Sequence, residues 1–404
     1  MNKKKLTKEE KRNFISVLTI TVCYFVVMLF VSVFLIARIF TVTGYDFTAV
    51  GLFVLLQHSA AFVTKIFTSL FVKKFKPIYL TRVLTVLSIV YLVLLFLYQD
   101  YLSEFYMLFG FAWGILMGLY VGSTNVMIAK LFKATGSTSV IIWRKLARGG
   151  VSILFPFTLG LLIDIGNFSM SIVVVSVFAA ILVVATCFVR YPKEQSTKLQ
   201  PIKYFKAMKG KGATKQSVEL WFIILMSTGF TLMTHFTTML IILSFGSNIS
   251  LGALKSIVAA LGMVLVFVYI KCSQKYKDRI FWLCAVVPFL VSLVLFFDID
   301  RTLVTIFMIS VVGNNVISAE EIPLRLNAAK YWGGEEFIVE SNLFYDFAVF
   351  IGFVLGCSAI IIVGVIGPST FVIASAISIV LFIYYLSAVM VYFWKRKYVL
   401  IDKT

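Results

Sequence analysis

Residues 190–219 read RYPKEQSTKLQPIKYFKAMKGKGATKQSVE. This is the longest polar stretch of the chain, and it carries eight basic residues from Arg190 to Lys215. On both sides of it the composition inverts. Apolar runs occupy 14–40, 47–71, 81–97, 105–131, 142–163 and 170–188 before it. They occupy 220–245, 251–270, 280–297, 303–322, 343–363 and 371–394 after it. The run Met170–Phe188 holds nineteen residues without a charge, enough for a helix to cross a hydrocarbon core of roughly 30 Å. Helix is the spanning form that such segments can take, because lipid offers backbone N–H and C=O groups no partner. The polar stretch therefore divides the chain into six spans plus six. The expected organisation is an amino-terminal bundle over 1–189, a basic linker over 190–219 and a carboxyl-terminal bundle over 220–404. Within the linker, YFKAMKGKGATKQSVEL reads either as a basic amphipathic helix on a membrane surface or as a solvated connection.

Composition agrees with this division. The chain has 404 residues, 61% of them hydrophobic, with mean hydropathy +1.00. Soluble chains run about 45–50% apolar. The charges fall between the spans and alternate in side. In the twelve-span reading, 33 of the 37 Lys and Arg lie on the side shared by both termini. Lys255 and Arg301 lie opposite, and Arg38 and Lys65 lie within spans. Asp46, Asp100, Glu104, Asp164, Asp298 and Asp300 mark the opposite ends. The positive-inside rule then places both termini in the cytoplasm of a multi-pass protein of the cell membrane. A net charge of +19 spread over turns suits the anionic inner leaflet. It does not make the single basic face that nucleic acid needs, so no nucleic-acid partner is expected.

Other signals are sparse. Cys23, Cys187, Cys272, Cys284 and Cys357 lack metal-site spacing and read as buried thiols. The first apolar run is too long for a signal-peptide core and reads as span 1. Asn167-Phe-Ser and Asn248-Ile-Ser match the N-glycosylation pattern. No Walker A, HExxH or GxSxG pattern occurs, so neither ATP drive nor enzyme activity is expected. No cofactor is expected either.

Two six-span halves joined by a basic cytoplasmic linker resemble the major facilitator superfamily over nearly the whole chain. The span 2–3 turn SLFVKKFKPIYLTR, residues 69–82, keeps the basic and aromatic character of that family's signature there. Lys73 stands where the family's Asp is expected, and Ser69 and Lys76 stand at its glycines. In span 5, ARGGVSILFPFTLG has Gly150, Pro156 and Gly160 at a spacing unlike that of drug/proton antiporters. The stretch GGEEFIVESNLFYDFAVFIGF, residues 333–353, is similar to a poorly characterised transporter branch of low-GC bacteria. A faint internal repeat aligns Gly136 with Gly334 and Arg148 with Asp346, as parallel repeats would. The resemblance implies an all-α membrane fold of two six-helix bundles. It also implies secondary transport of a small organic solute by alternating access.

Polar residues inside spans are costly and need a reason. Lys130, Arg144, Lys145 and Arg148 make one set of span ends basic. Glu320, Glu321, Glu335, Glu336, Glu340 and Asp346 make another set acidic. In the family's fold these ends face one another, so the expected pairs are a cytoplasmic gate. The plain alternative is solvated loop charge. Asp346, Glu340, Glu321, His235 and His58 are the candidates for proton coupling. Candidates for the solute cavity are Arg38, Gln57, His58, Lys65, Asn125, Thr234, His235, Thr238, Asn314, Asn315 and Asn342. If Arg38 and Lys65 point inward, the amino-terminal half suits an anionic or zwitterionic solute. An amphiphilic solute is the other expectation. Protons and the bilayer complete the partners, and a monomer is expected. A lipid flippase of the same fold and a non-transporting sensor are the competing functions. Gly110, Gly114, Gly118 and Gly122 recur every four residues and read as a helix-packing face.

Overall fold

A computed structural model of the chain describes residues 8–71, 76–132, 134–190, 213–317 and 338–399. Every element among them is helical. Helix α1 runs through Lys8–Leu29, a π-helical stretch Phe30–Leu35 and Ile36–Val42. Then come α2 (Phe47–Phe71), α3 (Pro77–Leu97) and α4 (Leu102–Leu131). A continuous stretch, Ala134–Cys187, breaks at Asn167, whose φ of 78° and ψ of 160° are not helical. We call its two parts α5 (134–166) and α6 (168–187). Next are α7 (Ala213–Phe245), α8 (Asn248–Lys271) and α9 (Gln274–Ser292). Helix α10 joins Arg301–Ser310 to a 3-10 turn at Val311–Gly313 and ends at Ile317. The last two are α11 (Ile338–Ile366) and α12 (Thr370–Val399).

Ten stretches among the described residues are long and apolar enough to cross a membrane; the 45-residue one, Trp143–Cys187, contains the break at Asn167. Arg301–Ile317 is a shorter apolar helix. Several helices start before their apolar runs do. Helix α5 begins at Ala134 rather than near 142, and α7 at Ala213 rather than 220. Hydropathy marks the lipid-facing length, so it misses these polar starts, which are Ser-, Thr- and Gly-containing at 134–141 and Thr-, Lys- and Gln-containing at 213–219. Two of the thiols expected to be buried are not. Cys187 is exposed and Cys272 half-exposed, because each sits at a helix end.

The chain packs as two compact units. Unit 1 comprises residues 1–42, 56–198 and 247–256; unit 2 comprises 43–55, 199–246 and 257–404. Each unit thus takes in a short segment from the other half of the sequence. In unit 1 the most extensive helix pairing is α1 with the stretch Ala134–Cys187 that holds α5 and α6; in unit 2 it is α7 with α11.

Helix α3 shows how lipid inverts the usual pattern. Its inward face includes Thr81, Thr85, Ser88 and Tyr91, all buried, while Val83, Val86, Val90 and Val93 are exposed. The threonine and serine hydroxyls are satisfied locally: Thr81, Thr85 and Ser88 donate to carbonyls three or four residues back, whereas the enclosed Tyr91 hydroxyl has no partner among the described residues. Such an exposed apolar face is stable only against a hydrocarbon solvent. The glycines of α4 do pack. A Cβ added at Gly114 would overlap the Gln57 carbonyl; at Gly118 and Gly122 it would press on Thr64 and Thr68 of α2.

Candidate functional site

Among the described charged residues of unit 1, Arg144 leaves the least surface exposed. It lies ten residues into α5, about 15 Å along the axis at 1.5 Å per residue. Only 9% of it is exposed. Its Nε donates to Thr21 Oγ1 on α1 at 2.9 Å, and its Nη2 to Tyr120 Oη on α4 at 3.3 Å. One turn on, Arg148 carries a second guanidinium on the same face. It lies 5.7 Å from the centroid of the Phe25 ring and also interacts with the Tyr120 hydroxyl. Lys145 is exposed instead, being turned about 100° around the helix from Arg144.

Aromatic rings wall this cluster. Tyr24 stacks on Tyr120 with centroids 3.5 Å apart and planes at 8°. Trp113, with no exposed surface, lies 6.0 Å from Tyr24 and 5.5 Å from Tyr91. Gln57 donates to Met117 Sδ at 3.7 Å, a weak bond that leaves its buried Oε1 without a partner among the described residues. His58 beside it is buried, and Lys65 is half-buried. Arg38 belongs to a different place. It follows the π-helical stretch, and its guanidinium lies 5.8 Å from the Phe168 ring at the start of α6.

Unit 2 holds the other polar groups. Of the α7 candidates, His235 and Thr238 are buried and Thr234 half-buried, with Thr231 buried on the same helix. Its hydroxyls, however, donate to carbonyls of their own helix: Thr231 to Ser227, Thr234 to Phe230 and Thr238 to Thr234. They keep acceptor capacity alone for any solute. Gly352 and Gly356 of α11 bring that helix against α7 at Ile224, Ser227 and Thr231. On α10 the 3-10 turn precedes Asn314, whose Oδ1 accepts from Tyr385 Oη at 2.7 Å. Asn315 donates to the Val312 carbonyl at 3.2 Å and sits over Gly262. Asp346 on α11 is half-buried.

Several anticipated residues fall beyond description. Glu320, Glu321, Glu335 and Glu336 lie outside the described residues. For Asn125, Lys130, Glu340 and Asn342 the backbone is helical and the side chains are outside the described set. Sequence reasoning singled out Arg144 and Arg148 but missed Thr21, Tyr24, Trp113 and Tyr120. It named Asp164 as a span-end acid but missed its capping role. That carboxylate accepts from Ser247 Oγ at 3.0 Å, Asn248 Nδ2 at 2.9 Å, Asn248 N at 3.3 Å and Ile249 N at 2.9 Å. It caps the start of α8 from the end of α5, an arrangement suited to a helix amino terminus. The Asn248 amide of the second glycosylation pattern is thereby engaged. Close backbone packing adjoins the cap: Gly160 meets the Asn248 carbonyl, and Gly252 meets the Pro156 carbonyl. In unit 2, Gly51 meets Ile361, and Gly364 meets Thr48.

Comparison with known proteins identifies the fold. No curated protein matches the chain. Among solved structures, a nucleoside transporter, NupG, superposes with TM-score 0.68 at 14% identity, over 97% of this chain and 100% of that one. A POT family transporter in complex with a thioalcohol-conjugated peptide gives 0.71 at 12% identity, with 96% of each chain covered. A bacterial homolog of the human lysosomal transporter Spinster, inward-facing and unoccupied, gives 0.63 at 13%, over 96% of this chain and 95% of that one. Identities this low establish fold alone. The Major Facilitator Superfamily model matches residues 14–336, more than half of the chain, and with the helical bundles and buried polar cores described above it places the protein in the Major Facilitator Superfamily.

Proposed function

We propose that the chain is a secondary transporter of the cell membrane, with twelve crossings and both termini cytoplasmic. It moves a small organic solute by alternating access of two six-helix bundles and draws on a proton gradient. One observation carries this reading: the shared packing at residues 43–55 and 247–256. Each segment begins a helix in one half of the sequence and packs in the unit built from the other half. The contacts there include closely packed glycines, the Asp164 carboxylate, a hydrogen bond from the Phe157 N–H to Ser256 Oγ at 3.2 Å and the Phe47–Phe236 ring contact. A discrete contact of this kind gives two alternative packings rather than continuous deformation. The π-helical stretch of α1 and the 3-10 turn of α10 add places where helix geometry can switch.

Asp346 is the proposed proton carrier. It is a half-buried carboxyl on α11, the helix whose glycines seat it against α7. The test is uptake into proteoliposomes under an imposed pH gradient. Asp346→Asn is expected to keep solute binding and to lose gradient-driven accumulation. Accumulation at the wild-type level in that variant would remove the proton-coupling assignment.

A further inference from the structure

Arg144 and Arg148 are the basis for one step further, which rests on the transporter reading above. Two guanidinium groups sit one turn apart deep in unit 1, and the partners of Arg144 are neutral hydroxyls. Its Nη1 has no hydrogen-bond partner among the described residues. The Nε of Arg148 and the hydroxyl of Tyr24 are enclosed and likewise unpartnered among them. The described acids of unit 1 lie elsewhere. Glu9 and Glu10 are in the first turn of α1, twelve and eleven residues before Thr21 and so about 17 Å down the axis. Asp100 and Glu104 flank the start of α4. Asp164 is committed to the start of α8. Buried like charges without a counter-charge are unfavourable, and burial raises the strength of any anion that joins them.

We propose that Arg144 and Arg148 form a binding site for an oxyanion, a carboxylate or phosphate group borne by the transported solute. Arg144 is held by Thr21 and Tyr120 so that its fork is oriented before the solute arrives. Arg148, half-buried, supplies the second charge. Planar guanidinium groups match the two oxygens of such a group. Cationic solutes are repelled from the same place. Enclosed donors such as the Tyr24 hydroxyl then gain a partner when the site fills.

The test is thermal unfolding of the purified full chain in neutral detergent. The probes are benzoate, succinate, glutamate, inorganic phosphate and glucose 6-phosphate, each beside its uncharged amide or sugar counterpart. A bound oxyanion raises the melting temperature, and the counterparts are expected to do nothing. Arg148→Gln is expected to weaken binding roughly 10- to 100-fold, the range for a charge-assisted hydrogen bond. Because Arg144→Gln removes buried bonds and can unfold the bundle, Arg144→Lys is the companion variant. It keeps the charge, loses the fork and is expected to bind about tenfold more weakly. Phosphatidylglycerol is a further arm. A shift from that lipid alone, lost in Arg148→Gln, keeps the oxyanion site and assigns it to a lipid headgroup. No shift with any oxyanion, or a shift of the same size in Arg148→Gln, overturns the inference. Uptake of a neutral or cationic solute that is unchanged in Arg148→Gln overturns it as well, and leaves the transporter reading standing. Tight oxyanion binding with no uptake in proteoliposomes sinks the transporter reading and leaves the site.

Discussion

A guanidinium inside a helical bundle is the residue whose surroundings matter most here. Arg144 spans α1 and α4 with two separate hydrogen bonds, so it is both an anchor and a charge. Thr21→Val removes the acceptor of the Nε bond and leaves that donor enclosed. The expected loss is about 1–3 kcal/mol of stability, read as a lower melting temperature in detergent. Valine keeps the volume, so an unchanged melting temperature would show that the bond is dispensable. Arg144 was legible in the sequence as a charge near the start of an apolar run. Its partners were not. Thr21 lies 123 residues away and Tyr120 lies 24 away, and nothing local marks Tyr120 among eighteen tyrosines. The polar residues of α7 teach the converse. Their helical spacing was visible, but their hydroxyls are taken up by their own backbone, a fate that spacing does not reveal.

At the scale of elements, small residues set how closely helices approach. The period-four glycines of α4 were readable because the period matches one helix face. Gly114→Leu would drive a side chain into the Gln57 carbonyl of α2. Overpacking of this kind costs about 1–3 kcal/mol or more, and a lower melting temperature with poor recovery from membranes is expected. Asp164→Ala removes the cap on α8. Loss of a cap costs about 0.5–2 kcal/mol, and faster amide hydrogen exchange at 247–252 is the expected signature; exchange as slow as in the wild type would contradict the capping role. Neither the cap nor the π-helical stretch was visible beforehand. Phe30–Leu35 is apolar apart from Ser32, so its pattern does not separate π from α geometry. The start of α5 was misjudged for a related reason, since hydropathy reports contact with lipid and not helix formation.

Across the whole molecule, the alternation of basic turns is the most legible feature. It arises from how charge is retained on one side during insertion, a property of the chain more than of its packing. A reporter fused within the 190–219 linker is expected to register a cytoplasmic location. An external signal would overturn the orientation. The exchange of segments 43–55 and 247–256 between the two units had no signature, because each reads as an ordinary span beginning. In the proposed transport cycle, alternating access depends on those segments. If they part and rejoin during each cycle, tying one of them down must stop transport. Asp164→Cys with Asn248→Cys, in a background whose native cysteines are replaced by serine, joins the end of α5 to the start of α8. With a solute found by the oxyanion screen, gradient-driven uptake into proteoliposomes is expected to cease on oxidation and to return on reduction. Full uptake in the oxidised, verifiably cross-linked protein would contradict alternating access through these contacts.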